Sequence, residues 1–100
     1  MIRTQAMTIQ LGKNAVTLTL GWRDPVKLRD RNDFTKGMAE GFQRFQTRMK
    51  LLPTQSFDIE TIAEFFHNDS ILQPDTTKIQ DMTSGAGVEL TRETAANIEG

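Results

Sequence analysis

Between Asp33 and Leu52 the apolar residues Phe34, Met38, Phe42, Phe45, Met49 and Leu52 recur at steps of three or four. With 3.6 residues per turn, that spacing keeps all six on one stripe of an α-helix. The other face carries Lys36, Glu40, Gln43, Arg44, Gln46, Thr47, Arg48 and Lys50, which suits water. Pro53 is expected to end the helix, because proline lacks the amide hydrogen and clashes with the preceding turn. A one-striped helix has to lay its stripe on something. The rest of the chain is therefore read for a cover.

The segment before it supplies one. Met7, Ile9 and Leu11 alternate with Thr8 and Gln10, and Val16, Leu18 and Leu20 alternate with Thr17 and Thr19. Period two with β-branched residues is the strand signal. Pairing Leu11 with Val16, Ile9 with Leu18 and Met7 with Leu20 gathers the apolar residues on one face, with Gly12-Lys13-Asn14-Ala15 as the loop. A lone hairpin is marginal in water, so the helix and hairpin are expected to cover each other, with Trp22 sealing an edge.

The remaining segments are shorter. Asp24-Pro25 reads as an N-cap and first helical position, followed by a helical turn through Val26 and Leu28. Gly37 and Gly41, four apart in the long helix, suggest the close approach of another backbone, either the hairpin or a second copy. A second helix starts near Ser56. Phe57, Ile59, Ile62, Ala63, Phe65 and Phe66 form its apolar face, and Asn68 ends it. Pro74-Asp75 looks like a further cap, and Ser84-Gly85-Ala86-Gly87 a break. The sequence thus predicts one α+β domain over residues 1–83. An N-terminal antiparallel β-hairpin (7–22) packs on a small bundle of two to three α-helices, at about 33–52, 57–67 and 76–83, and 84–100 is a flexible C-terminal tail.

Composition narrows the function classes. No apolar run approaches the roughly 20 residues of a membrane span. No apolar core follows a basic start at the amino terminus, so a secretory signal is not expected. The chain has no cysteine and one histidine, which removes disulfides and thiolate metal sites. The lack of cysteine fits a reducing cytoplasm, which is the expected compartment.

Charge is uneven. Residues 1–22 carry +2, residues 23–50 carry +4 and residues 51–100 carry −7. Arg23, Lys27, Arg29, Arg31, Arg44 and Arg48 make a candidate basic patch for phosphate. Interleaved aspartates and an isoelectric point near 5.8 weigh against nucleic acid. Catalytic constellations are absent from the pattern. Asp58, Glu60 and Glu64 read as carboxylates on a helix, Asp58 and Glu60 in its dipole-favoured first turn, and His67 as a helix-terminal histidine stabilised by the dipole. No cofactor is expected, and the chain reads as a non-enzyme that acts through its surface.

The opening from Met7 to Trp22, Met-Thr-Ile-Gln-Leu-Gly-Lys-Asn-Ala-Val-Thr-Leu-Thr-Leu-Gly-Trp, resembles the start of the small tail assembly chaperones of long-tailed phages and prophages of Gram-positive bacteria. Those proteins also open with a strand, a glycine-containing turn and a second strand, and continue as helices. The resemblance implies a non-catalytic role: binding the tape-measure protein, keeping its helical segments soluble and recruiting tail-tube subunits. It also implies, in many members, a second form extended by frameshifting.

Such work needs apolar side chains beyond those of a small core. Met38, Met49, Phe57, Phe65 and Met82 are the candidates, and amphipathic partner helices or a second copy are the occupants they suit. Two other classes stay open. One is a virion structural part such as a head–tail connector or tail subunit; the other is a small nucleic-acid-binding regulator.

Overall fold

In a computed structural model, residues 2–23, 31–50, 52–56 and 58–92 are described, with the side chains of 31–34 left aside. The elements run β1 (Arg3–Leu11), β2 (Asn14–Trp22), α1 (Arg31–Met49), α2 (Ile59–His67), β3 (Thr76–Asp81) and β4 (Gly87–Thr91). All four strands form one antiparallel sheet in the order β1-β2-β3-β4, with both helices inserted between neighbouring strands β2 and β3. The fold is α+β, as the sequence predicts.

Alternation decides which sheet face is buried. Leu11, Val16, Leu18, Leu20, Trp22, Thr77 and Ile79 are buried on one face, and Met7, Ile9, Val88 and Leu90 widen it. Thr8, Thr17, Thr19, Lys78, Gln80 and Glu89 alternate with them on the other, as in antiparallel sheets with one wet face. The helices cover the apolar face, α1 against β1 and α2 against β3 and β4. Met38, Phe42 and Phe45 of α1, and Ile62, Ala63 and Phe66 of α2, complete the core. Trp22 is buried, and its indole N–H donates to the carbonyl of Leu72 at 2.8 Å.

The hairpin keeps the predicted face but not the predicted register. Leu11 pairs with Asn14, Ile9 with Val16 and Met7 with Leu18. The loop is therefore only Gly12-Lys13, and every pair moves by two residues. A two-residue shift preserves side-chain parity, so hydrophobic pattern alone could not choose between the two registers. Turn geometry chooses. Gly12 has φ of 60° while Lys13 is not in positive φ, the pattern of a two-residue type II′ turn. The Lys13 N–H then donates to the Gln55 carbonyl at 2.8 Å, clipping the interhelix loop beneath the turn.

The third predicted helix, 76–83, is strand β3, and part of the predicted tail, 84–100, is strand β4. Thr76, Thr77 and Ile79 are β-branched, and Thr77, Ile79 and Asp81 alternate inward with period two. Pro74-Asp75 caps no helix. The Asp75 carboxylate instead accepts the backbone N–H of Arg23 at 2.7 Å, and its own N–H donates to the Gly21 carbonyl at 2.8 Å. The β3–β4 turn is held by Asp81, whose carboxylate accepts the N–H groups of Thr83 and Ser84 at 2.9 and 3.0 Å and the Asn14 amide at 3.1 Å. Bonds from Ser84, then Thr83, then Asn14 keep this carboxyl below its ordinary value.

Helix ends also differ. α1 stops at Met49, because Lys50 turns left-handed at φ of 50°, three residues before Pro53. Leu52 therefore leaves the apolar stripe and is exposed. Asp58, not Ser56, caps α2, accepting the Glu60 N–H at 3.2 Å. Gly37 and Gly41 admit side chains rather than a backbone: a Cβ on Gly41 would sit 3.0 Å from the Phe66 ring and 3.2 Å from Leu72. His67 ends α2, but its charge preference runs against the expected dipole-stabilised cation. Burial, then Arg92, hold its pKa below the usual 6.5 against an opposing pull from Asp75, and Nδ1 lies 2.8 Å from the Thr77 hydroxyl. The predicted turn at 24–30 lies outside the described residues.

Gly12 makes the register testable. A Cβ there would collide with the Gln55 carbonyl oxygen, and the positive φ adds strain of its own. Gly12→Ala is expected to cost about 2–3 kcal/mol of stability in urea denaturation. An unchanged midpoint would contradict the clipped two-residue turn.

Candidate protein-binding groove between the helices

Phe66 joins the two helices. Its ring meets Phe42 of α1 edge-on at 4.9 Å between centroids and lies parallel to Phe45 at 6.3 Å. Phe65, the next residue of α2, points to the other side of that contact. It meets Phe45 nearly perpendicularly at 5.2 Å, and the rest of its ring stays half exposed. Consecutive residues on a helix lie 100° apart, so one phenylalanine can fill the core while its neighbour faces outward.

A groove runs along that outward side. Its apolar floor is Met49 and Phe65, with Ile71 at the lip, and Ile71 is 70% exposed. Thr47 and Thr61 line it beside the charged rim of Glu40, Arg44, Arg48, Glu64 and Asp69. The Arg48 guanidinium carbon lies 5.8 Å from the Phe65 ring centroid, a cation–π contact at the groove edge.

One wall is fixed by a charge pair. Arg44 Nη2 and Nε donate to one oxygen of Asp69 at 2.6 and 3.2 Å. The second oxygen accepts the N–H groups of Ile71 at 2.8 Å and Leu72 at 3.3 Å. The Asp69 side chain is 4% exposed and that of Arg44 34%. Burial pushes the Asp69 carboxyl up, yet the Arg44 bond and the two backbone N–H groups outweigh it and hold its pKa below 3.8. Asp69 thus ties α1 to the turn that carries Ile71 outward and Leu72 inward.

The predicted binding residues separate. Met49 and Phe65 come together in this groove. Met38 is wholly buried in the core, so it offers no surface. Met82 is exposed, but it sits on the β3–β4 turn, where the Thr17 hydroxyl approaches its sulfur at 3.2 Å on the wet face of the sheet. Phe57 lies outside the described residues. Of the predicted basic patch, Arg44 and Arg48 share the groove rim with three carboxylates, which removes the one-signed field that phosphate would need. Arg23 is at the end of β2, Lys27 and Arg29 are outside the described residues, and Arg31 is described only as backbone.

Ile71 and Asp69 were missed by sequence reasoning. Asp69 lies 25 residues from Arg44, a separation at which no periodicity couples them. Asn68-Asp69-Ser70 does carry a turn signal, but not the direction in which Ile71 leaves it. Among the described residues, no cluster of three His, Asp or Glu could hold a metal ion, and no helix is long and apolar enough to cross a membrane.

Removing the Asp69 carboxylate leaves Arg44 and two N–H groups without it. Asp69→Ala is expected to cost about 2 kcal/mol at pH 7, between an exposed and a buried pair. Because the folded pKa is depressed, this stabilisation is present above 3.8 and is lost as pH falls through the folded value. The difference between wild type and variant in urea denaturation should therefore shrink on acidification. A pH-independent difference would contradict the ionic role.

No family model, curated protein or solved structure matches the chain.

Proposed function

We propose that this chain is a non-catalytic protein-binding module, of the kind that serves as a tail assembly chaperone, and that it receives an amphipathic helix of a tape-measure protein in the groove between α1 and α2. The observation that carries the reading is the placement of Met49, Phe65 and Ile71 on one open surface within a mixed-charge rim. A helix presenting apolar residues at i, i+3, i+4 and i+7 matches such a strip, while its flanking charges meet Glu40, Arg48 and Glu64. Methionine adapts to partners of varied shape, and the half-exposed Phe65 ring offers a rigid anchor. The resemblance of residues 7–22 implies the partner class, with tail-tube subunits as second partners and the bacterial cytoplasm as the compartment.

The test is coexpression with the tape-measure protein encoded downstream, followed by fractionation. Wild type should bring the tape-measure protein into the soluble fraction and copurify with it. Ile71→Glu, which changes an exposed residue and leaves the core intact, should reduce copurification by about tenfold. A tape-measure protein that stays insoluble beside the wild-type chain would rule the reading out.

A further inference from the structure

We infer that β1 is a self-association edge, along which two copies of the chain pair antiparallel about Met7 into one continuous eight-stranded sheet. β1 is an outer strand of the sheet, and its nine residues hold an unbroken register with β2. The two-residue turn makes Leu11 and Asn14 a hydrogen-bonded pair, so the alternate residues of β1 face away from β2. The far side of β2 agrees with this phase. The carbonyls of Ala15 and Gly21, partners of Gln10 and Thr4, accept N–H groups of Met82 and Asp75 at 2.7 and 2.8 Å. Thr4, Ala6, Thr8 and Gln10 therefore aim their N–H and C=O groups outward. Among the described residues, no backbone hydrogen bond reaches them from that side.

Exposed edges of soluble sheets are normally blunted by lysine, proline, a bulge or brevity. From Thr4 to Leu11 there is no lysine, proline or acid, and the unbroken register leaves no bulge. The opposite edge differs. β4 has five residues, carries Glu89, and is followed by Arg92, whose guanidinium bonds to the carbonyls of Pro74 and His67 at 3.3 and 3.0 Å.

The sequence of β1 complements itself. Antiparallel pairing about Met7 opposes Thr4 to Gln10, Ala6 to Thr8 and Met7 to Met7, so each outward-facing residue meets an outward-facing residue of the copy. The half-buried Met7 and Ile9 extend the apolar face across the seam toward the copy's Met7 and Gln5. Arg3, the one charge on the strand, falls at opposite ends of the seam, separated by about 27 Å at the usual rise per residue. Parallel in-register pairing would instead stack the two arginines about 4.8 Å apart. This surface is independent of the helix groove, so either proposal can fail without the other.

The test is sedimentation equilibrium and native mass spectrometry of the full chain with two charge variants. Ala6 and Thr8 are exposed on the wet face, so substitution there leaves the core untouched. A dimer is expected at about 50 µM. Ala6→Lys and Thr8→Glu should each weaken it by about tenfold, because like charges then meet diagonally across the two-fold axis. The double variant should recover the dimer, each lysine facing the copy's glutamate. In the wild type, the amides of Thr4, Ala6, Thr8 and Gln10 should exchange slowly when concentrated and quickly on dilution. A monomer at about 100 µM, a dimer indifferent to both single variants, or a double variant that fails to recover would each overturn the inference.

Discussion

The structure depends on the burial of Phe66 between two helices and a sheet. The ring is fully buried, touches Phe42, Phe45 and Phe65, and occupies the space that Gly41 leaves by lacking a Cβ. Burying one such side chain stabilises by about 2–3 kcal/mol, and each edge-on ring pair adds about 1 kcal/mol. Because these contacts bind α1 to α2, and α2 itself packs on β3 and β4, the helix pair forms a single lid. Its outer side is then set by what the lid leaves over, namely the half-exposed Phe65, Met49 and the turn carrying Ile71.

The same economy explains why the sheet has four strands. The hairpin alone could shelter the stripe of α1, but α2 brings Ile62, Ala63 and Phe66 of its own. Strands β3 and β4 supply the remaining cover through Thr77, Ile79, Val88 and Leu90. The chain returns beside β2 after both helices, and Trp22, bonded to the Leu72 carbonyl, pins the segment that leads back.

Sequence legibility followed the strength of each periodic signal. The α1 stripe and the hairpin faces were readable because six and six apolar residues repeat at helical and strand spacing, Leu52 alone falling past the helix end. Register was not, since a two-residue slip keeps parity and only the turn decides it. Strand β3 reads as a helix in the sequence because it follows the cap-like Pro74-Asp75 and Ile79 and Met82 lie three apart, while its strand signal is spread over six residues with two threonines. In the groove, Met49 and Phe65 were legible as surplus apolar residues on amphipathic helices. Met38 has the same chemistry and lies eleven positions earlier on the same stripe, yet it faces the centre of the core. Ile71 was hidden because its direction is set by Asp69, and Asp69 by an arginine on another helix.

Methionine reports on the central claim, because Met38, Met49 and Met82 sit in the core, in the groove and on the far sheet face respectively. The decisive measurement is NMR of the chain carrying 13C-labelled methionine methyl groups, titrated with an amphipathic helical segment of the proposed tape-measure partner. A shift concentrated on Met49, with Met82 unmoved, is the result expected for a partner helix seated between α1 and α2. A shift at Met82 with Met49 unmoved would place the partner on the opposite face and contradict the account.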